Sequence, residues 1–480
     1  MALTVVSNVV CPICGTLCDD IEVIVENNTI IDVRNACGVG AAKFLGYNRH
    51  RIEKPLVRKN GELVEASLDE AIRKSAEILV EARYPILYGW SCTSCEASRV
   101  GLELAEEVGG VIDNTSTVCH GPSIISIQDI GIPSCTLGQL RHRADLIIYW
   151  GSNPHSAHPR HMDRYTMFIE GRFQRSGYKK YLRRLSAKLT WRRLLRAAKL
   201  ILRRSVIEPS ETSMKIPFYL RSKDRKLIVV DVRKTDSADM ADYFIQVEPS
   251  KDYELLQALR VLVKDGELDV DEVAGVPVET LEEIADVMIN CKLGILFFGL
   301  GLTMSGGKHR NIDAALSLTR DLNARTKFLI MPMRGHYNVT GSNVVFTWQS
   351  GYPFAVDFSK GYPYYNPGET SVTDILNRGD NDASLVIASD PVSNFPRKAV
   401  EHLVKNPLIV IDPEESPTTL MADVVIPSAF VGIEAEGTAY RMDHVPIHMR
   451  KVVEPPRGIL TDEEILRRIL LEVRRLKEAK

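Results

Sequence analysis

Cys11, Cys14 and Cys18 share one short loop near the start of the chain, and Cys37 follows eighteen intervening residues later. Four thiols so close need a ligand, since free thiolates in such a group are open to oxidation. Structural zinc favours two separated Cys-x2-4-Cys knuckles. Three thiolates from one tight loop with a distant fourth suit the corners of a 4Fe–4S cube better. On spacing alone, zinc and free thiols stay open as alternatives.

Cys119 sits beside His120 in Asp113-Asn114-Thr115-Ser116-Thr117-Val118-Cys119-His120-Gly121-Pro122. The Gly-Pro pair places Cys-His on a turn before an apolar helix over Ile124–Ile130. A helix start should lower the thiol's pKa, giving a thiolate fit for a soft metal or for nucleophilic attack. The neighbouring imidazole can exchange protons near neutrality. Simple packing of Cys and His is the competing reading. Arg334, in Met331-Pro332-Met333-Arg334-Gly335-His336, directly follows a predicted strand. There it can receive a small carboxylate with two hydrogen bonds, or be an ordinary surface arginine. Cys92 and Cys95 open a helix after a strand. They read either as a redox dithiol or as small residues packing a turn.

The elements that position these residues follow from pattern. Apolar runs recur at Leu146–Trp150, Leu227–Val230, Gly294–Phe298, Phe328–Met331, Leu385–Ala388 and Leu408–Ile411. They alternate with helical patterns at Asp252–Val263, Leu281–Ile289 and Lys308–Leu322, which predicts an α/β fold of parallel sheets covered by helices. Ser67 and Glu70 predict a capping box opening an amphipathic helix with Ile72, Ala76, Leu79 and Val80 on one face. Two short strands are expected around the turn Asn27-Asn28.

The chain also repeats itself. Leu227-Ile228-Val229-Val230-Asp231 is echoed by Leu408-Ile409-Val410-Ile411-Asp412, an offset of 181 that also carries Met240-Ala241-Asp242 onto Met421-Ala422-Asp423. Upstream, Ala144–Pro154 is similar to Ala383–Pro391, so each half offers strand, polar loop, strand and Asp. Loops at the carboxyl ends of such strands hold nucleotides, with the acidic residue on a sugar or base edge. Two halves therefore predict two dinucleotide-like ligands; ordinary parallel strands ending in Asp are the bland alternative.

Composition narrows the class. The 480 residues are 45% hydrophobic and 25% charged, on the soluble globular average. No apolar stretch is long enough to span a bilayer, and the N-terminus has no export signal, so a cytoplasmic protein is expected. Net charge is −2, yet Gly171 to Lys226 holds 18 Lys/Arg against Glu208, Glu211 and Asp224. That block is +15, and the remainder of the chain is −17. Within it, Thr190 should cap a helix with Trp191, Leu194, Leu195 and Ala198 on one face and arginines opposite. This suits an acidic partner or an anionic membrane surface, with a solvated insertion as the alternative. A nucleic-acid reader is disfavoured, since aromatic content is ordinary at 7%.

Together these pieces resemble the molybdopterin-dependent oxidoreductases, the group that includes formate dehydrogenase and periplasmic nitrate reductase. More closely, they resemble the B subunits of formylmethanofuran dehydrogenases from methane-forming and related archaea. The phrases that carry this are CPICGTLCDDIEV, NACGVGAAKF, GWSCTSCEA, DNTSTVCHGP, YWGSNP with AHPRHM, VVDVRKTDSADMAD and MPMRGHYNVTGSN. The resemblance implies one 4Fe–4S cluster on Cys11, Cys14, Cys18 and Cys37. It also implies tungsten or molybdenum held by Cys119 and the dithiolenes of two molybdopterin guanine dinucleotides. His120 would handle protons and Arg334 would orient substrate. Gly151, Ser152, Asn153 and Asp231 would bind one dinucleotide, Asp390 and Asp412 the other, and Lys43 would lie between cluster and pterin.

The implied reaction is reversible reduction of carbon dioxide to formate, with formate passed to another subunit for formylation of methanofuran. A formate dehydrogenase and a non-catalytic electron-relay subunit are the alternatives. The implied architecture is a 4Fe–4S domain (1–55) followed by two related Rossmann-like domains. The first comprises 56–118 plus 336–430. The second is 119–335, with a basic insertion at 174–225. Residues 431–480 form a C-terminal segment, and the pterin-covering domain of free-standing formate dehydrogenases is expected on a separate small subunit. An amidohydrolase-like formyl-transfer subunit and ferredoxin-like electron carriers are the other expected partners.

Overall fold

Every residue of Leu146–Trp150 is apolar and every one is buried, as a strand covered on both faces requires. The same holds for Gly294–Phe298 and Leu408–Ile411, which begin and end where the apolar runs do. The computed structural model describes residues 3–169, 171 and 225–479. They form two compact units, Met1–Asp129 with Pro332–Lys480 and Ile130–Met331. The helix expected from Thr190 lies outside the described residues, as does the basic insertion except Arg225. That arginine is buried and donates to the carbonyls of Arg141 and Tyr165, so it is part of the core of its unit.

The first unit is built on a nine-stranded mixed sheet. Its centre is parallel: Val111–Asn114, Pro85–Gly89, Ala383–Ile387, Leu408–Ile411 and Val424–Ile426 lie side by side. Antiparallel strands close both edges. Helices Leu68–Glu81, Cys95–Val108 and Asp462–Glu478 cover one face over a core that includes Trp90, Leu104, Phe346, Ile409 and Ile469. The box expected at Ser67 is half formed. Ser67 accepts from the Glu70 N–H, but the Glu70 carboxylate turns to Lys59 at 2.8 Å. An exposed carboxylate gains as much from an ammonium as from a backbone N–H, and here the ammonium is within reach.

Residues 1–55 belong to this same unit. The expected strands appear as Ile21–Glu26 and Thr29–Arg34. A third, Leu3–Val9, adds to their edge in antiparallel register. Helix Gly38–Gly46 follows Cys37.

Among the described residues the second unit carries a five-stranded sheet in which Tyr243–Gln246, Lys226–Asp231, Leu146–Trp150 and Gly294–Phe298 run parallel. Helices Asp252–Leu262, Val278–Ile289 and His309–Leu322 cover it. No helix among the described residues is long and apolar enough to cross a membrane.

Candidate functional site

The cysteine loop is closed by its own backbone. Cys11 N–H bonds the Cys18 carbonyl at 2.9 Å, and Leu17 N–H bonds that of Cys14 at 3.0 Å. Cys37 caps helix Gly38–Gly46, its sulfur accepting from Gly40 N–H at 3.4 Å. A Cβ at Gly40 would stand 3.1 Å from Cys11 Sγ and 3.7 Å from Cys37 Sγ, so the lone fourth cysteine does reach the loop. Burial, then the neighbouring thiolates of Cys18, Cys14 and Cys37, push the Cys11 thiol well up. Such a set is stable as thiolates only around cationic metal. Among the described residues no three His, Cys, Asp or Glu side chains gather closely enough to hold one metal ion. An all-thiolate set, three from a loop and one from a helix cap, fits the iron corners of a 4Fe–4S cube.

Strand Val111–Asn114 delivers the second group. Asp113 at its end is fully buried and accepts from the N–H groups of Asn114, Ala355 and Val372 and from the Thr117 hydroxyl. It thereby ties the turn Thr115–Val118 to two distant segments. Cys119 N–H bonds the Ser116 carbonyl at 3.0 Å, and helix Gly121–Ile130 begins two residues on. The expected lowering of the Cys119 thiol by that helix is not what the structure gives. Burial pushes it up to about 11, against Arg334 and the Gly335 N–H. Loss of water at the thiol outweighs these two partners.

His120 is buried, with Nε2 3.3 Å from the Met333 carbonyl. A carbonyl only accepts, so Nε2 carries the hydrogen and Nδ1 faces the Ser123 hydroxyl at 3.3 Å. Arg334 is 3% exposed, and burial lowers its guanidinium to about 10, still charged at neutral pH. Its Nη1 donates to Asn343 Oδ1. The fold thus gathers Cys119, His120 and Arg334 in the first unit.

The cysteine loop lies directly against them. Gly15 N–H bonds the Gly335 carbonyl at 3.1 Å, and Cys14 pairs with His336 as an isolated bridge. A Cβ at Gly15 would sit 2.4 Å from the Arg334 carbonyl oxygen, so only glycine allows this approach.

The internal repeat recurs bond for bond. In the second unit, Leu227 and Asp242 exchange two bonds of 2.7 and 2.8 Å. In the first, Leu408 and Asp423 do the same at 2.9 and 2.8 Å. Gly151 and Ala388, both at positive φ, turn the chain at the strand ends. Beyond them Asn153 Oδ1 accepts from the Ser237 hydroxyl at 2.6 Å, and Asp390 Oδ1 from the Thr418 hydroxyl at 2.5 Å. Asp231 and Asp412 each accept an N–H from two residues on. Ser237 and Thr418 are separated by the same 181 residues, and extending the repeat three residues upstream of Met240 finds them. Gly151, Ser152, Asn153 and Asp231 lie in one unit, Asp390 and Asp412 in the other. Each set lies at the carboxyl end of parallel strands, where nucleotide ligands bind in such sheets.

In the first unit a cavity of about 350 Å³ opens there, lined by Lys43, Asp390, Asp412, Tyr337 and Asp462 among others. Lys43 holds Glu414 at 2.8 Å and stands 4.4 Å over the Phe430 ring. Burial pushes the Asp412 carboxyl up to about 7; the Glu414 and Asp462 carboxylates reinforce this and Lys43 opposes it. Tyr337 is 3% exposed and its hydroxyl has no hydrogen-bond partner among the described residues. A buried orphan hydroxyl beside carboxyls suits a ligand presenting ring N–H and hydroxyl groups, as the sugar and base end of a dinucleotide does. Cys92, which also lines this cavity, and Cys95 are thiols pushed up to about 12 by burial, which favours their reading as packing residues.

No family model matches the chain. It is 50% identical over 475 residues to the B subunit of tungsten-containing formylmethanofuran dehydrogenase 2 of Methanocaldococcus jannaschii, covering 98% of this chain and 99% of that one. It is 46% identical to the protein of the same name in Methanococcus maripaludis, covering 99% and 100%. Formate dehydrogenase H of Escherichia coli is 23% identical, over 96% of this chain and 67% of its own. Among solved structures, the fold is similar to a chain of the formyltransferase/hydrolase complex of Methylorubrum extorquens. The TM-score is 0.64 at 19% identity, covering 89% of this chain and 100% of that one. It is also similar to acetylene hydratase of Pelobacter acetylenicus, with TM-score 0.66 at 14% identity, covering 98% and 69%. By identity over nearly its whole length, the chain belongs to the family of B subunits of tungsten-containing formylmethanofuran dehydrogenases, which are oxidoreductases.

Proposed function

We propose that the chain is the catalytic subunit that reversibly reduces carbon dioxide to formate. The observation that carries this is the meeting of the half-buried Cys119 with the buried His120 and Arg334 against the four-cysteine loop. Cys119, with the dithiolenes of two molybdopterin guanine dinucleotides, would hold tungsten or molybdenum, and the relatives' names favour tungsten. Cys11, Cys14, Cys18 and Cys37 would hold the 4Fe–4S cluster. The loops at Gly151–Asn153 and Asp231, and at Asp390 and Asp412, would each cradle one dinucleotide, with Lys43 between cluster and pterin. When bound, these groups supply the two electrons that the reaction consumes.

The chain's own residues do the rest. Carbon dioxide, two electrons and one proton make formate. Arg334, buried and charged, would fix the developing carboxylate with charge-assisted hydrogen bonds. His120, its Nε2–H committed to Met333, would pass the proton at Nδ1. Burial of His120 and Arg334, beside the half-buried Cys119, limits bulk water and strengthens both interactions. Formate would then pass to an amidohydrolase-like subunit for formylation of methanofuran. A small pterin-covering subunit and ferredoxin-like carriers would complete the complex.

The test is the purified complex with Cys119→Ala. Carbon dioxide/formate interconversion should vanish, while His120→Ala and Arg334→Ala should each lose about 10² to 10⁴ in rate. A Cys119→Ala complex with full activity would refute the assignment.

A further inference from the structure

Arg334 is useful only if its fork points at the substrate, and a buried guanidinium on a turn needs something to hold it there. Its Nη1 donates to Oδ1 of Asn343, a residue 5% exposed on helix Val339–Ser350. The other end of the same amide is equally committed. Asn343 Nδ2 donates to the Pro353 carbonyl at 2.9 Å and to Ser116 Oγ at 3.0 Å, with Asn114 Oδ1 at 3.4 Å. A guanidinium only donates and a carbonyl only accepts, so the amide can sit only one way round. Ser116, in turn, accepts the Cys119 N–H on its carbonyl at 3.0 Å and is itself capped by Asn114 Oδ1 at 2.9 Å.

We propose that Asn343 is a positioning residue. It couples the orientation of the substrate-binding Arg334 to the turn Asn114–Cys119 that presents the metal-binding thiol, so that carboxylate clamp and metal keep one spacing. The inference rests on the functional reading above, in which Arg334 binds the formate carboxylate. Neither charge nor size alone explains Asn here. Asp would accept from Arg334 but oppose the Pro353 carbonyl with a second acceptor and neutralise the cation. Ala would leave an arginine N–H and a buried carbonyl without partners.

The test uses the purified complex, with formate as probe, and begins with the parent. A parent complex that neither binds nor oxidises formate refutes the functional reading and this inference with it, before any variant is made. Given a competent parent, Asn343→Ala should keep parental iron and tungsten content. It should weaken formate binding by calorimetry, and raise KM for formate, by about 10- to 100-fold, with a much smaller change in kcat. Asn343→Asp should weaken binding at least as much, because the arginine charge is then spent on an internal carboxylate. Ser116→Ala, which removes one of the anchors but leaves the Arg334 bond, should shift formate affinity a few-fold in the same direction. This milder variant decides the matter if Asn343→Ala fails to assemble. Formate binding and KM within about two-fold of the parent in assembled variants would overturn the proposal. So would losses that merely track missing metal.

Discussion

The Thr418 hydroxyl donates to Asp390 Oδ1 at 2.5 Å, as the Ser237 hydroxyl donates to Asn153 Oδ1 at 2.6 Å. Two loops on two separate sheets are thus pinned by the same bond. Their acceptors differ in charge, and so should the cost of losing it. Thr418→Val leaves a carboxylate oxygen short of a donor and should destabilise by about 1.5–3 kcal/mol. Ser237→Ala removes a bond to a neutral amide and should cost about 0.5–1.5 kcal/mol. Thermal midpoints of the two variant complexes give the order. Guanine dinucleotide content per chain should fall in both, and parental content would contradict the cradle assignment.

Gly15→Ala places a methyl 2.4 Å from the Arg334 carbonyl oxygen, so the cysteine loop and the Arg334 turn must part. We expect a loss of about 1–3 kcal/mol in stability. Formate oxidation with an artificial acceptor should slow as well. Iron and sulfide analysis separates a displaced loop from a lost cluster. Parental activity and stability would mean the approach is looser than the geometry shows.

Asp113 gives a pH signature. Burial raises its carboxyl to about 7, against four hydrogen bonds. An unfolded Asp titrates near 4, so the folded state binds the extra proton between about pH 4 and 7. This contribution, about 4 kcal/mol, is full below pH 4 and is lost as pH rises through about 7. Asp113→Asn should therefore flatten the decline of the thermal midpoint between pH 4 and 7, besides lowering it overall by removing an acceptor. Parallel pH curves for parent and variant would refute this.

Lys43 and Glu414 form a part-exposed pair, so its loss should cost less than about 1 kcal/mol in stability. The cavity should notice more, because Lys43 opposes the rise of the Asp412 carboxyl. Lys43→Ala should lower pterin content and cluster-to-metal electron transfer, measured by rapid reduction, while barely moving the thermal midpoint. A large fall in the midpoint with normal pterin content would make Lys43 a structural residue instead.

What is legible in the sequence follows from how local each signal is. Buried parallel strands are continuous apolar runs, so Leu146–Trp150 and Gly294–Phe298 can be read to the residue. Strand Leu3–Val9 escapes such a reading because most of its side chains are exposed and it only edges an antiparallel sheet. The four cysteines, Cys119-His120 and Arg334 stand out by type and spacing. Their support does not. Asn343 lies nine residues past Arg334 and meets Ser116 only through the fold. The direction of the Cys119 thiol's shift is hidden for a similar reason, since a helix start is visible in sequence but depth of burial is not. The 181-residue repeat is plain at Met240 and Met421. It continues to Ser237 and Thr418, where the changed flanking residues hide it.

We propose that Cys119 faces a pterin-bound metal fed by a cluster on Cys11, Cys14, Cys18 and Cys37. Metal and pterin analysis of the native complex tests it most directly. The predicted result is tungsten or molybdenum with two guanine dinucleotides on this chain, and iron with acid-labile sulfide that disappears on Cys37→Ser. Zinc in place of iron, or a complex without pterin, would contradict it.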